Sequence, residues 1–176
     1  MNLTKVNPVG IDWYLQKVQT AMYAYLSRTW DNYNCYGRCY RNKVKDGYIA
    51  EVFTGSEYKE VYWDDSLNAI SFFGINNIKS DVTNTADVYL IFFVNLQKLR
   101  PEITHRADEE IRQDVLQAVG KSSFGMTFKS VDLWIENVLK EYPGSRRDER
   151  LKAVDMHPVH CFRYNYTLLY NPNKIC

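Results

Sequence analysis

The most apolar stretch of the chain, "ADVYLIFFVNLQKLRP" (residues 86–101), decides the fold. Successive side chains of a β-strand point to opposite faces of a sheet, so this stretch presents two sets of residues. The sets are Val88, Leu90, Phe92, Val94 and Leu96 on one face, and Tyr89, Ile91, Phe93 and Asn95 on the other. Both sets are apolar through the middle, which predicts that both faces are covered. Helices would cover one face, and either loops of the same chain or another copy of the protein would cover the second.

Length and charge limit the classes of protein to consider. The chain has 176 residues and a net charge of +1, from 22 basic and 21 acidic residues. This length suits one domain, residues 1–176, and the balanced charge provides no general field for capturing nucleic acid or an anionic membrane. No apolar run is long enough to span a bilayer, and "MNLTKVNPVG" lacks the apolar core of a signal peptide. We therefore expect a protein made in the cytosol, with four free cysteine thiols.

The first half of the chain combines one helical pattern with several strand patterns. Apolar residues from Ile11 to Arg28 recur at helical spacing. The polar and aromatic stretch "DNYNCYGRCYRNKV" (31–44) fits either a loop or an irregular edge strand, and "NNIKSDVTNT" (76–85) reads as a loop. Three further strands are predicted, namely "YIAEVF" (48–53), "YKEVYW" (58–63) and "NAISFFGI" (68–75).

The second half predicts two helices and a closing strand. "DEEIRQDVLQAVG" (108–120) begins with three carboxylates, which a helix N-terminus favours. A second helix is predicted from about Ser130, and its apolar face would carry Val131, Trp134, Ile135, Val138 and Tyr142. The last element, "VHCFRYNYTLLY" (159–170), alternates, and its core face would consist of Phe162, Tyr164, Tyr166, Leu168 and Tyr170.

The order of elements predicts an α+β fold with an antiparallel sheet and helices packed on one face. The fold would begin with the N-terminal helix and end with a C-terminal strand, which closes the sheet beside the strand at 86–95. Within this single domain, residues 31–66 and 143–158 would be extended interaction segments.

The same order of elements resembles the tail-terminator, tail-completion and head–tail connector proteins of bacteriophages. The similarity covers roughly residues 10–170, in which "VYLIFFVNL" precedes "DEEIRQDVLQAV" and "SVDLWIENVLKEY", and "FRYNYTLLY" follows. The composition is also similar to that of connector ring proteins of crAss-like phages. In one respect the chain departs from the family, because 31–66 is longer than the compact hairpin expected there.

The resemblance implies a virion structural protein that forms a homo-oligomeric ring in the neck or tail connector, joining the portal or head to the tail. Its partners would be copies of itself and other neck, portal or tail proteins, with genomic DNA passing through only as cargo. No catalytic residue, cofactor or membrane contact is implied. The protein would assemble in the host cytoplasm and end in the virion. The ring hypothesis depends on sister copies covering the second apolar face of the sheet.

Aromatic and basic residues in the two segments are the candidates for subunit contacts. Tyrosine and tryptophan often anchor protein interfaces, which favours Tyr36, Tyr40, Tyr58 and Trp63. The same four side chains could equally cap the core of their own subunit. In the charged connector, Arg146, Arg147 and Arg150 are candidates for salt bridges between subunits.

Zinc chemistry requires cysteine and histidine side chains that converge. The candidates for a structural zinc site are Cys35, Cys39, His157, His160 and Cys161. Neighbouring residues of a strand face opposite sides, so His160 and Cys161 would diverge. We therefore predict no metal site, and ordinary buried thiols instead.

A magnesium-dependent phage nuclease or other DNA-processing enzyme is the alternative function. Such sites combine carboxylates with a lysine, and Asp46, Glu57 and Lys59 are the residues that resemble this set. However, Glu57 directly follows the turn "TGS" (54–56), where no rigid strand would aim it. The sequence favours solvated hairpin charges here, and we assign no catalytic residue.

Overall fold

The computed structural model describes residues 1–45, 47–80, 83–122, 124–140 and 156–172. Four helices and nine strands are found in these ranges. In chain order they are β1 (Asn2–Leu3), α1 (Ile11–Leu26), β2 (Tyr33–Arg38), β3 (Tyr40–Val44), β4 (Gly47–Phe53), β5 (Tyr58–Glu60), β6 (Ala69–Ser80), β7 (Asn84–Asn95), α2 (Leu96–Leu99), α3 (Asp108–Gly120), β8 (Met126–Asp132), α4 (Ile135–Val138) and β9 (Val159–Tyr170).

Six strands form the main sheet, in the order β1-β2-β6-β7-β9-β8. The four strands from β6 to β8 pair antiparallel, whereas β1, β2 and β6 pair parallel at the other end. The mostly antiparallel sheet and its C-terminal strand confirm the predicted α+β class. Strands β7 and β9 pair along their whole length, from Asn84 opposite Tyr170 to Asn95 opposite Val159. The last strand therefore inserts beside the apolar strand, as predicted.

Helices α1 and α3 cover the first face of the main sheet. Their buried stripes meet Leu90 and Phe92 of β7 and Phe162 of β9 in one large apolar core. The helical stripes consist of Ile11, Leu15, Val18, Met22 and Leu26 on α1, and Ile111, Val115, Ala118 and Val119 on α3. Fully burying a side chain such as Phe92 contributes about 1.5–3 kcal/mol relative to leaving it in water.

A second, three-stranded sheet covers part of the opposite face. This small sheet has the order β3-β4-β5. Its inward residues Ala50 and Val52, with Val61 just after β5, pack on Phe72 and Phe93 of the main sheet, and this cluster is the second core. Val138 of α4 belongs to the same core. The expectation that sister copies cover the second face is wrong, because the chain's own strands bury these side chains.

Two local predictions are corrected. Residues 126–132 form an edge strand against β9 rather than the start of a helix, and the helix that follows spans only Ile135–Val138. The predicted loop at 76–85 consists largely of the ends of β6 and β7, which pair across a hairpin. The stretch 31–44, for which a loop and an irregular edge strand were both open, contains two strands, one in each sheet.

Candidate functional site

The four aromatic candidates lie on or beside the small sheet and differ in exposure. Tyr36 and Trp63 are half-buried and pack against the second core. The indole Nε1 of Trp63 donates a hydrogen bond to Asp65 Oδ1 at 2.6 Å. Tyr58 is the most open of the four, with 46% of its surface exposed. Tyr36 and Trp63 thus contribute to the core of their own chain, and Tyr58 is the most exposed of the four side chains.

Tyr40 belongs to a half-buried ionic network between β3 and α1. Its hydroxyl donates to Asp12 Oδ2 at 2.8 Å, and Lys5 Nζ lies 2.7 Å from the same oxygen. The Arg38 guanidinium stacks 4.8 Å from the centre of the Tyr40 ring. Burial raises the pKa of Tyr40, and for Lys5 the hydrogen bonds to Asp12 and Tyr40 outweigh burial and raise its pKa. Tyr40 therefore attaches the small sheet to α1.

Several candidates lie outside the described residues. These are Arg146, Arg147 and Arg150, together with Asp46, which belonged to the nuclease alternative. Most of the predicted interaction segment 143–158 falls outside the described ranges as well, and its part at 156–158 leads directly into β9.

The β3 edge of the small sheet is basic. Arg41, Lys43 and Lys45 are exposed there, and Arg41 stacks on the Tyr48 ring at 4.0 Å. Within the described part of the chain, no carboxylate lies at ion-pair distance from these three cations. This edge is thus free to meet acidic groups of another molecule.

Strands β4 and β5 bring two carboxylates face to face. Glu51 and Glu60 occupy directly opposed positions of the ladder, an arrangement that destabilises a sheet when both are charged. Asn42 donates a hydrogen bond to the Glu51 carboxylate. Sequence inspection missed this pair, because only the register of the two strands brings the residues together.

The β8 edge of the main sheet exposes large aromatic side chains. Trp134 is 75% exposed, Phe128 is 50% exposed and Phe124 is 48% exposed. Phe128 also lies against Tyr164 and Tyr166 of β9, with ring centres about 6 Å apart. The sequence did not reveal this edge, because Trp134 fits the stripe of the helix that was predicted there.

The carboxylate and lysine of the nuclease alternative are bound to each other. Lys59 Nζ lies 2.9 Å from Glu57 Oε1, and both side chains are about 60% exposed. The hydrogen bond to Glu57 raises the pKa of Lys59. A lysine that polarises a water would have to leave this contact, so the geometry of Glu57 and Lys59 gives the nuclease alternative no support.

The candidate zinc ligands lie on different faces of the main sheet. Cys35 belongs to the first core, while Cys161 belongs to the second. Burial raises the pKa of Cys35 to about 11 and that of Cys39 to about 12. His160 packs against the ring of Phe162, on the side of the helices. Within the described ranges, no group of three or more cysteine, histidine or carboxylate side chains could hold a metal ion.

A buried arginine lies under the polar half of the second face. Arg163 is 2% exposed, its Nε donates to Asn165 Oδ1 at 2.7 Å, and its guanidinium stacks 4.2 Å from the centre of the Tyr89 ring. Asn165 Nδ2 in turn donates to Asp132 Oδ2 at 2.8 Å. These contacts join β7, β8 and β9, which indicates a structural role for Arg163.

A second polar cluster surrounds the start of α3. Asp108 accepts two hydrogen bonds from the Arg106 guanidinium, at 2.8 and 2.9 Å, and lies 3.6 Å from His160 Nδ1. The bonds from Arg106, aided by His160, hold the pKa of Asp108 below its ordinary value. A cleft of about 450 Å³ opens beside them.

Comparisons with known proteins add no assignment: no protein-family model matches the chain, and no curated protein matches it. Among the helices of the described ranges, none has the length and apolar character needed to cross a membrane. We therefore infer the function from the exposed surfaces of the chain itself.

Proposed function

We propose that this chain is a non-catalytic structural subunit that forms a homo-oligomeric ring in the neck or tail connector of a bacteriophage virion. The ring joins the head or portal to the tail, and genomic DNA passes through it as cargo. The order of elements that resembles tail-terminator and connector proteins supports this proposal. Its partners are sister copies and the neighbouring neck, portal or tail proteins.

The observation that carries the ring is a pair of aromatic surfaces, one at the β8 edge of the main sheet and one at the β5 edge of the small sheet. The β8 edge consists of Phe124, Phe128 and Trp134, and it lies at one end of the strand order. The β5 patch consists of Tyr58 and Tyr62, which are 46% and 48% exposed. Exposed aromatic residues are typical of protein interfaces.

The β5 patch lies near the other end of the strand order. Lys5, which follows β1, lies 5.9 Å from the centre of the Tyr58 ring. A side chain at Gly55, beside the patch, would meet Leu3 of β1 at 3.7 Å. Two different surfaces on opposite sides of one body give a head-to-tail contact, and such contacts close into rings when the rotation between neighbours allows it.

The chain itself covers the second face of the main sheet, so a ring would be held together by contacts other than this face. Since Phe72 and Phe93 are already buried within the subunit, the faces of the sheet are not the main contact. The contact forms between edges, and the rigid two-sheet body sets the angle between neighbouring copies.

Mixing of two edge variants tests the proposal. The variant Phe128→Ser with Trp134→Ser removes the β8 edge, and Tyr58→Ser with Tyr62→Ser removes the β5 patch. We expect mass photometry and negative-stain microscopy to show rings for the parent protein and monomers for each variant alone. A mixture of the two variants retains one intact pair of surfaces, so it should form dimers but no rings.

The matched control is Leu116→Ser, which removes an exposed apolar side chain from α3, a helix that belongs to neither edge. Rings should persist in this variant. A parent protein that stays monomeric at the highest soluble concentration would contradict the proposal, as would rings that survive both edge variants.

A further inference from the structure

A small cavity lies where the chain leaves the main sheet for the small sheet. It is lined by the end of β2, by α1, by Leu3 and Lys5 and by Phe53 of β4, and its volume is about 10 Å³. One water molecule requires a cavity of about 10–15 Å³ and two to four polar partners. The size of this cavity therefore matches a single water.

Three buried polar atoms belong to residues that line this cavity. They are Asp12 Oδ1, Gln19 Oε1 and Arg38 Nε, and within the described part of the chain each lacks a hydrogen-bond partner. Buried polar atoms in native proteins are nearly always paired, with protein groups or with ordered water. Asp12 Oδ1, Gln19 Oε1 and Arg38 Nε are therefore three polar atoms that one ordered water can pair.

The orientation of the Gln19 amide is fixed by its nitrogen. Gln19 Nε2 donates to the main-chain oxygens of Leu3, at 3.0 Å, and of Cys35, at 2.8 Å. A rotated amide would place its oxygen against these two carbonyl oxygens, which cannot donate. The amide oxygen is therefore the atom without a partner, and it is an acceptor.

Asp12 and Arg38 are placed to share a bridging molecule. The other oxygen of Asp12, Oδ2, already accepts hydrogen bonds from Lys5 and Tyr40. Arg38 Nη1 lies 3.7 Å from Asp12 Oδ1, which is too long for a direct hydrogen bond. A polar contact longer than 3.5 Å can be bridged by a water.

We infer that the cavity binds one ordered water, which accepts a hydrogen bond from Arg38 Nε and donates to Asp12 Oδ1 and Gln19 Oε1. One donor and two acceptors match the capacity of a water molecule. A metal cation would face the charges of Arg38 and Lys5, and a halide ion would face two oxygens that cannot donate to it. The water joins α1 to the last residue of β2.

A crystal structure of the full chain, at a resolution that shows ordered water, tests the inference. We expect one density peak within about 2.7–3.2 Å of all three atoms. In Gln19→Met the peak should be lost or its occupancy should fall at least twofold. Gln16→Met is the matched control: Gln16 also lines the cavity, but its amide is paired with the main chain of Lys5, so the peak should remain.

Soaks and a solution measurement complete the test. Anomalous maps after bromide or rubidium soaks should show no peak in the cavity. A peak there would show that the cavity binds an ion rather than a water, and would overturn the inference. In the parent protein, NMR cross-peaks between water and the Arg38 Nε–H should report the bound molecule even if Gln19→Met fails to fold. The inference would also be overturned if the parent protein showed neither the density peak nor the cross-peaks.

Discussion

Gly74 lies opposite Tyr89 in the β6–β7 ladder, and the tyrosine ring occupies the space in which a side chain at position 74 would begin. The same ring stacks on the Arg163 guanidinium. A glycine that is covered by a cross-strand aromatic ring allows close packing that no other residue permits. Because Gly74 has no side chain, the Tyr89 ring can lie over it, and Arg163 stacks on that ring.

Replacing Gly74 with alanine should destabilise the protein. The new Cβ would overlap the Tyr89 ring, so the ring must move away from Arg163. Overpacking of this kind costs about 1–3 kcal/mol, which urea unfolding can measure. The matched control is Gly120→Ala at the end of α3, where an added Cβ meets nothing within 4 Å. Equal stabilities of the two variants would contradict the packing of Tyr89 on Gly74.

Asp108 should contribute to a loss of stability in acid. Its pKa is lowered in the folded protein, so its carboxylate stabilises the fold above the unfolded value of about 3.9. This contribution is lost as the pH falls through the lower, folded value. Urea midpoints measured from pH 6 to pH 3 should therefore fall less in Asp108→Asn than in the parent protein.

The control for the acid effect is Glu102→Gln, in the exposed segment before α3. Its pH profile should follow that of the parent protein. Parallel profiles for Asp108→Asn and the parent protein would show that the Arg106–Asp108 contact does not favour the folded state.

At the scale of elements, Asp114 of α3 joins three segments through one oxygen. Asp114 Oδ2 accepts from the Trp30 indole at 2.9 Å and from the Arg100 guanidinium. Trp30 follows α1, and Arg100 follows α2. The carboxylate thus fixes α3 against the ends of two other helices, where the sequence offers no spacing that predicts the contact.

Removing this carboxylate should loosen the contacts of α3. In Asp114→Ala the buried indole and the guanidinium both lose their acceptor, which costs about 2–4 kcal/mol in urea unfolding. Asp114→Asn retains an oxygen for the indole and loses only the charge, so its cost should be smaller. Trp30 fluorescence should shift to longer wavelength in the alanine variant alone, and identical behaviour of both variants would contradict this role.

Elements whose pattern agrees with their surroundings could be predicted from the sequence. Strand β9 was predictable because apolar and polar residues alternate from Phe162 to Leu168, in the middle of a 12-residue strand. Strand β8 was not predictable, because the apolar spacing from Val131 to Val138 also fits a helix. Residues 126–132 form a strand because they can pair with β9. The local sequence pattern carries no information about the presence of β9 beside them.

The candidate site was predictable only in part, for a related reason. The exposure of Tyr58 follows from its place in a short edge strand. By contrast, Tyr40 binds Asp12 and Lys5, which lie 28 and 35 residues away in the sequence. The opposed Glu51 and Glu60 likewise depend on strand register, which the sequence of a polar hairpin specifies weakly.

At the scale of the whole molecule, two cores lie back to back across the main sheet. Phe92 belongs to the core under the helices and Phe93 to the core under the small sheet, and they are 0% and 3% exposed. A chain that closes both cores with its own elements should depend on both of them as a monomer in dilute solution.

Alanine variants of these neighbouring residues test this expectation. Phe92→Ala and Phe93→Ala should each lower the free energy of unfolding by about 3–5 kcal/mol, measured at concentrations at which the protein is monomeric. Phe92→Ala serves as the reference for a core covered by helices. If Phe93→Ala cost less than about 1 kcal/mol, the second face would be open in the isolated subunit and would need another copy to cover it.

The position of β9 between β7 and β8 has a consequence for biosynthesis. During translation the other five strands of the main sheet leave the ribosome before β9. Until β9 follows, the edge of β7 that pairs with β9 is unpaired, and β8 has no neighbouring strand in the sheet. Open strand edges invite pairing with other nascent chains. Polysomes that make this protein should therefore be a favoured substrate of holdase chaperones until the closing strand arrives.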